Sequence, residues 1–324
     1  MSRIDWLPRC HGLNDNGATG RLDTVGSENM SFRRAHAISV VPFTLCMLFC
    51  GTSMASVCED PGTVSYVSAT VVDHDISELE HGLGATEQTN QELQILAQGP
   101  ATLSFGFSHR YSKFDFAGIE PQTNAHLHTS TFALHWRRGN SHGNMRAAAA
   151  PTLSASSNVL GHPQKYNSDT LQLSLALVRQ QRLSESVIAR YGLCGDDRFG
   201  RYRFYPTAAL EWRPHPDWEI DLGFPASSVT YRITDSLSSG LRAAPDGSEW
   251  HVMNRDFDAE SQFVYEAYAV EWLFGFEPGR HLSLVAGIGR QLRNSFEMTL
   301  RSGERVSVQS GPVDRVSVEI RWRF

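Results

Sequence analysis

Lysine is almost missing from this chain. Only Lys113 and Lys165 occur in 324 residues, and arginine supplies nearly all the positive charge. The formal net charge is -6, so the basic face that nucleic-acid binding needs is not in the composition. Helical apolar periodicity is nearly absent beyond residue 56, which argues against helix bundles and βαβ architectures. Low-complexity linkers and fixed-period repeats are absent too, so nothing marks a second domain. No apolar run is long enough for a helical membrane anchor except one near the front, AISVVPFTLCMLFC at 37–50.

That run follows Arg33 and Arg34 and precedes GTSMAS, with Ser53 and Ala55 as the small residues before a cleavage point. A basic start, a short apolar stretch and small residues at the end describe a secretory signal peptide, expected over 30–55 and cut before Ser56 or Val57. Pro42 interrupts the run and no amphipathic face is visible, which disfavours a buried helix. Bulky Phe49 makes Cys50 a poor lipid-attachment site. Residues 1–29 carry Asp5, Asp15, Asp23 and Glu28, a polar leader unlike a signal peptide, so Met30 is the expected start and 1–29 an expected non-native leader. Of five cysteines only Cys58 and Cys194 then remain. In an oxidising compartment they either pair or stay apart, one near the new start and one in a turn-like LCGDD.

The expected mature region, 56–324, is a series of alternating segments. LSFGFSHRY aligns Leu103, Phe105, Phe107 and Tyr111. HTSTFALHW aligns Phe132, Leu134 and Trp136 against Thr129, Thr131 and His135, and LQLSLALV aligns Leu171, Leu173, Leu175 and Leu177. Trp218, Ile220, Leu222 and Phe224 share a face, as do Tyr268, Val270, Trp272, Phe274 and Phe276. The chain stops on DRVSVEIRWRF, where Val316, Val318, Ile320, Trp322 and Phe324 alternate with Ser317, Glu319, Arg321 and Arg323. A two-residue beat places these sets on opposite faces of a strand. The turns between segments (RPHPDW, TDS, AAPDGS, EPGR) are short and rich in Pro, Gly and Asp, so successive strands run antiparallel.

A soluble sandwich also alternates, but two features favour a barrel. The polar faces interleave Glu and Arg with Gly, Ala, Ser and Thr, as a wet lumen does, and aromatics gather at segment ends, as an interfacial girdle does. The expected fold is therefore all-β, an antiparallel up-and-down transmembrane β-barrel with an even count of about 12–16 strands and a last strand ending in Phe324. The expected lumen residues are Glu211, Arg213, Arg232, Glu271, Glu319, Arg321 and Arg323. The expected girdle is Trp212, Trp218, Phe224, Trp272, Phe276 and Trp322. Two stretches fit less well: 217–254 is cut into pieces shorter than a spanning strand, and 74–90 (DHDISELEHGLGATEQT) reads as a long polar loop.

The block YPTAALEWRPHPDWEIDLGFPASSVTYRITDSLSSGL at 205–241, with SEWHV after it and the terminal WRF, resembles a family of bacterial outer-membrane β-barrels of unknown function. The resemblance implies a barrel fold over 57–324 and an outer-membrane location, and brings no activity. Phe324 with apolar residues at two-residue spacing also looks like the signal read by the barrel-insertion machinery. The expected partners are thus outer-membrane lipids and that machinery.

Catalytic chemistry is weakly signalled. His128 and Ser130 in HLHTST share a face, and the spacing is similar to the His-x-Ser pair of outer-membrane phospholipases and lipid A deacylases, where His deprotonates Ser. The adjoining Ser-Asn-x-Gly pattern is missing, and His142-Gly-Asn144 lies on another segment, so no enzyme is expected. His126 and His128 fall opposite His135 by parity, which argues against a metal site, and Gly287-x-Gly289 is explained by small lumen residues. No cofactor is expected. The leading functional expectation is passive passage of small solutes. The alternatives are a closed structural or adhesive barrel binding through its outer loops, and a lipid-acting hydrolase.

Overall fold

The computed structural model describes residues 57–324 apart from 101, 122–125, 141 and 255–258 and the side chain of residue 81; the expected leader and signal peptide lie outside the described residues. Strict alternation becomes sixteen strands in one sheet. They are β1 (Tyr66–Leu79), β2 (Gly84–Gln98), β3 (Leu103–Ala117), β4 (His126–Asn140), β5 (Gly143–Ser156), β6 (Leu171–Arg182), β7 (Val187–Asp196) and β8 (Arg203–Trp212). The series continues with β9 (Trp218–Phe224), β10 (Ser227–Arg232), β11 (Leu237–Pro245), β12 (Ser248–Met253), β13 (Glu260–Phe276), β14 (Leu282–Thr299), β15 (Arg305–Ser310) and β16 (Val313–Arg323).

Two pairs of these are single strands with an interruption. β15 and β16 keep one register on β14, from Asn294↔Ser310 to Gln291↔Val313, and Pro312, which lacks an N–H, breaks the ladder between them. β11 and β12 likewise keep one register on β13, with Asp246 N–H donating to the Ala267 carbonyl at 2.9 Å across the gap. β1 pairs with β16 from Tyr66↔Arg323 to His74↔Arg315, so the sheet closes as a fourteen-stranded antiparallel barrel. The two chain ends of the barrel meet at one rim. At this terminal rim the turns are short; the opposite, far rim carries the longer connections, including helix α1 (Ser157–Leu160) and two 3-10 turns.

The stretch 74–90 is a correction to the sequence reading. β1 runs on to Leu79 and β2 starts at Gly84, with only a 3-10 turn between them. His74, Ser77, Thr86, Gln88 and Asn90 are buried on the lumen side, and Asp73, Asp75 and Glu87 point outward. Where both faces are polar, hydrophobic alternation vanishes while the backbone ladder continues. Cys194 is also placed in β7, not in a turn.

The short pieces of 217–254 have a different cause. The β10 pairing with β11 ends at Ser227↔Ala243, so β12 extends beyond its neighbour's end. It leans across to β5, where His251 meets Ala155, and all six of its residues are buried. In the far half a second ring therefore closes: β12, β13, β14, β15, β1, β2, β3, β4 and β5. A ring of that size has room for side chains and little else. The β7–β8 connection packs on the branch point, where Ser248 Oγ donates to Asp197 at 2.6 Å. A Cβ on Gly247 would come within 2.5 Å of Gly200 N, so glycine is required there.

The outer wall is apolar. Leu93, Phe105, Phe132, Leu173, Leu193, Leu222, Leu241, Ile288, Val318 and Ile320 are each at least two-fifths exposed on strands whose other faces are buried or half-buried. In water such a continuous band is an aggregation liability; against lipid it is the stable surface. Ile320 lies one outward position inside Trp322, between rim and midplane, so Ile320→Arg is expected to cost about 1–3 kcal/mol, measured as urea unfolding in vesicles. An unchanged midpoint would mean that Ile320 faces water.

Candidate functional site

The lumen is filled in layers. The far half holds an aromatic core: Phe114 from β3, Leu127 from β4, Trp250 and Val252 from β12, Phe263 and Tyr265 from β13, and Phe296 and Met298 from β14. Phe114 lies 5.2 Å from Phe263 and 5.3 Å from Tyr265 between ring centroids. Trp250 Nε1 donates to Thr129 Oγ1 at 2.9 Å, which ties β12 to β4. Inward positions that would be polar in an open pore are aromatic here because β12 has narrowed the ring.

Next toward the terminal rim is a charge cluster. Asp246, at the β11–β12 interruption, accepts from Arg315 at 2.8 Å and pairs with Arg110 at 3.6 Å. Arg315 also lies 3.2 Å from Glu271, and Glu271 accepts from Ser317 Oγ at 3.1 Å. Tyr265 OH donates to Gln291 at 2.6 Å, and Gln291 donates to Asp246 at 3.3 Å, which joins this cluster to the aromatic core. Two small cavities border the cluster, and both are walled by Arg110 and Glu92.

The wide half contains the segment at 57–60, which precedes β1. Cys58 and Cys194 are joined as a disulfide with Cα atoms 5.8 Å apart, which answers the pairing question the sequence left open. The Arg146 guanidinium donates to the carbonyls of Val57, Cys58 and Glu59. Glu59 pairs with Arg242 at 3.1 Å and with Arg198 at 3.4 Å, and Asp60 pairs with Arg137. Burial alone would raise the Asp60 carboxyl, but Arg146 and Arg137 outweigh it and hold its pKa below the usual carboxylate range. Asp196 lies beside the disulfide, but sulfurs bonded to each other are not thiolate ligands, so this group is no metal site. Cys58→Ser is expected to cost about 2–4 kcal/mol and to free residues 57–65 for proteolysis, read by limited digestion of the folded barrel.

Of the expected lumen residues, Glu271 and Glu319 are buried inside the barrel. Glu319 pairs with Arg321 at 2.6 Å, Glu211 with Arg213 at 2.8 Å, and Arg323 with Glu277 at 2.7 Å. These pairs sit along the wall near the terminal rim, whereas the central cluster is built around Arg110, Asp246 and Arg315, which sequence reasoning missed. Arg315 shares parity with Glu319 and Arg321, a signal that could have found it. Asp246 lay hidden in a segment that looked like a turn.

On the outer face, Trp212, Trp218, Trp272, Phe276 and Trp322 are all exposed toward the terminal rim, with Phe324 beside them. Phe224 is exposed at the far end of β9, so it belongs to the other side of the apolar band. His128 and Ser130 do share the outer face of β4, as parity predicted. Ser130 Oγ, however, lies 2.9 Å from Nδ1 of His109 on β3, and the ring nitrogen of His128 bonds Ser157 at 2.8 Å. His135 points into the lumen, away from both. His142 lies in the β4–β5 turn at the terminal rim, and Asn144 follows it on β5.

No family model matches the chain, and no curated protein matches it. Solved structures show a general likeness. An outer-membrane channel from Pseudomonas putida F1 is 10% identical, with 85% of this chain and 100% of that one covered and a TM-score of 0.41. The KdgM porin in complex with disordered oligogalacturonate is 8% identical over 79% of this chain and 99% of that one, with a TM-score of 0.36. The Pseudomonas putida toluene transporter TodX is 10% identical over 81% of this chain and 89% of that one, with a TM-score of 0.35.

Proposed function

We propose that the chain is an integral outer-membrane β-barrel that is closed to through-passage at rest, and that small solutes cross it only when its internal plugs are displaced. The observation that carries this reading is the far-half ring of strands with the aromatic core inside it. The outer apolar band supplies the surface for lipid, and the aromatic rim at the chain ends supplies an interfacial anchor. The lumen charges serve first to neutralise one another and to hold the amino-terminal segment. An always-open pore would need an unobstructed bore, and the described side chains occupy it.

Topology provides the test of membrane placement. The far-rim turn holding Ser302 and the terminal-rim turn holding Ser184 are both exposed. In intact cells a membrane-impermeant maleimide is expected to label Ser302→Cys and to leave Ser184→Cys unlabelled until the outer membrane is opened. Equal labelling of both in intact cells would sink the placement.

A further inference from the structure

The outer wall of β3 and β4 carries polar side chains where a lipid-facing strand would hold leucine. From the terminal rim the outward pairs are Phe105–Leu134, Phe107–Phe132, His109–Ser130, Tyr111–His128 and Lys113–His126. Phe107 and Phe132 are in contact at 5.0 Å between centroids. The change from apolar to polar comes directly after them. The row of His109 and Ser130 continues across the wall through Leu153 to Leu171, which is 57% exposed, so the polar group borders the apolar band instead of standing clear of it. Ionisable side chains in such a place are costly and by default point to function.

Their hydrogen bonds run in one direction. Ser157 Oγ donates to the His126 carbonyl at 3.3 Å, and a carbonyl can only accept. That hydroxyl proton is then committed, so His128 Nε2, 2.8 Å from the same oxygen, carries a hydrogen and donates to it. A neutral His128 consequently presents Nδ1 as an acceptor. It faces His109 Nε2 at 3.5 Å, which assigns the hydrogen of His109 to Nε2 and leaves Nδ1 as the acceptor for Ser130 Oγ at 2.9 Å. The Tyr111 ring, 5.1 Å from His128 between centroids, supports the stack. The outcome is a serine hydroxyl aimed at the free nitrogen of a histidine whose tautomer is set from behind, the relation that activates a nucleophilic serine.

We propose that this group is a second, outward-facing site that cleaves fatty-acyl esters of lipids in the leaflet at the far rim, with Ser130 as nucleophile, His109 as general base and His128 as the positioning residue. The acyl chain lies along the exposed wall of Phe132 and Leu171, which brings its ester to Ser130. Ser130 Oγ bonds to the carbonyl carbon as its proton passes to His109 Nδ1. The ester C–O bond then breaks, and the departing alcohol takes that proton. Water attacks the acyl-serine and gives a proton to His109 Nδ1; the C–Oγ bond then breaks as His109 passes that proton to Oγ, which releases the carboxylic acid and restores the Ser130 hydroxyl and the neutral imidazole. No lumen group takes part, so the site works whether the barrel conducts or stays closed.

The experiment uses the purified, folded, full-length barrel in detergent, treated with a long-chain fluorophosphonate and mapped by peptide mass. Wild type is expected to carry the adduct on Ser130, with Ser130→Ala unlabelled. His109→Gln should slow labelling by about 100-fold or more, the scale of a lost general base. His128→Asn should also slow it and shift its pH profile. Folding of each variant is checked by its heat-modifiable gel band. Mixed micelles of phosphatidylethanolamine in one arm and of an acylated glycolipid in the other then identify the lipid from the fatty acid released. A folded wild-type barrel that leaves Ser130 unmodified, or labelling that survives His109→Gln at full rate, would overturn the proposal.

Discussion

Asp246→Asn is expected to lower the stability of the barrel by about 3–5 kcal/mol, among the largest effects a single isosteric change can have. Arg110 and Arg315 are 6% and 5% exposed, and both point at this carboxylate. Neutralising it leaves two buried guanidinium groups short of their counter-charge, and the uncompensated charge costs more than the pair contributed. Arg315 keeps Glu271, so the burden falls chiefly on Arg110. The double change Arg110→Met with Asp246→Leu is therefore expected to be less damaging than Asp246→Leu alone. The measurement is the urea midpoint at which the compact gel band is lost. Equal midpoints for wild type and Asp246→Asn would show that the cluster is solvated and that the lumen is wider than described.

Trp250→Ala is expected to cost about 3–5 kcal/mol by the same readout. Trp250 is 1% exposed, sits among Phe114 and Phe263, and gives its indole N–H to Thr129. Truncation removes packing on all these sides and unties β12 from β4. Trp272→Ala is the control, since Trp272 is half exposed on the outer wall and its loss leaves the far-half ring intact. A Trp250 variant as stable as the Trp272 variant would mean that the far half is loosely filled.

Much of this architecture was legible in the sequence, and the reasons are physical. The terminal strand could be read because one face meets lipid and the other the lumen, so Val316 to Phe324 alternate without exception. The parity of His128, Ser130 and His135 was readable for the same reason. What parity could not supply is register between strands. Ser130 finds His109 because β3 and β4 pair as His109↔Ser130, a relation held in turn geometry and not in local spacing. The far half is hidden from the sequence for another reason. β1 and β2 continue beyond the apolar band, where both faces are polar and the beat is silent. β12 reads as a short fragment because it leaves its wall neighbour and is buried on every side. The segment at 57–60 offered only the residue pair Cys58 and Cys194, whose joining depends on where that segment sits in the barrel.

Closure of the barrel is decided by single-channel recording of the oxidised, full-length protein in planar bilayers. The folded, inserted barrel is expected to show no steady open level as voltage and salt are varied. A persistent ohmic conductance that rises with salt concentration would contradict it.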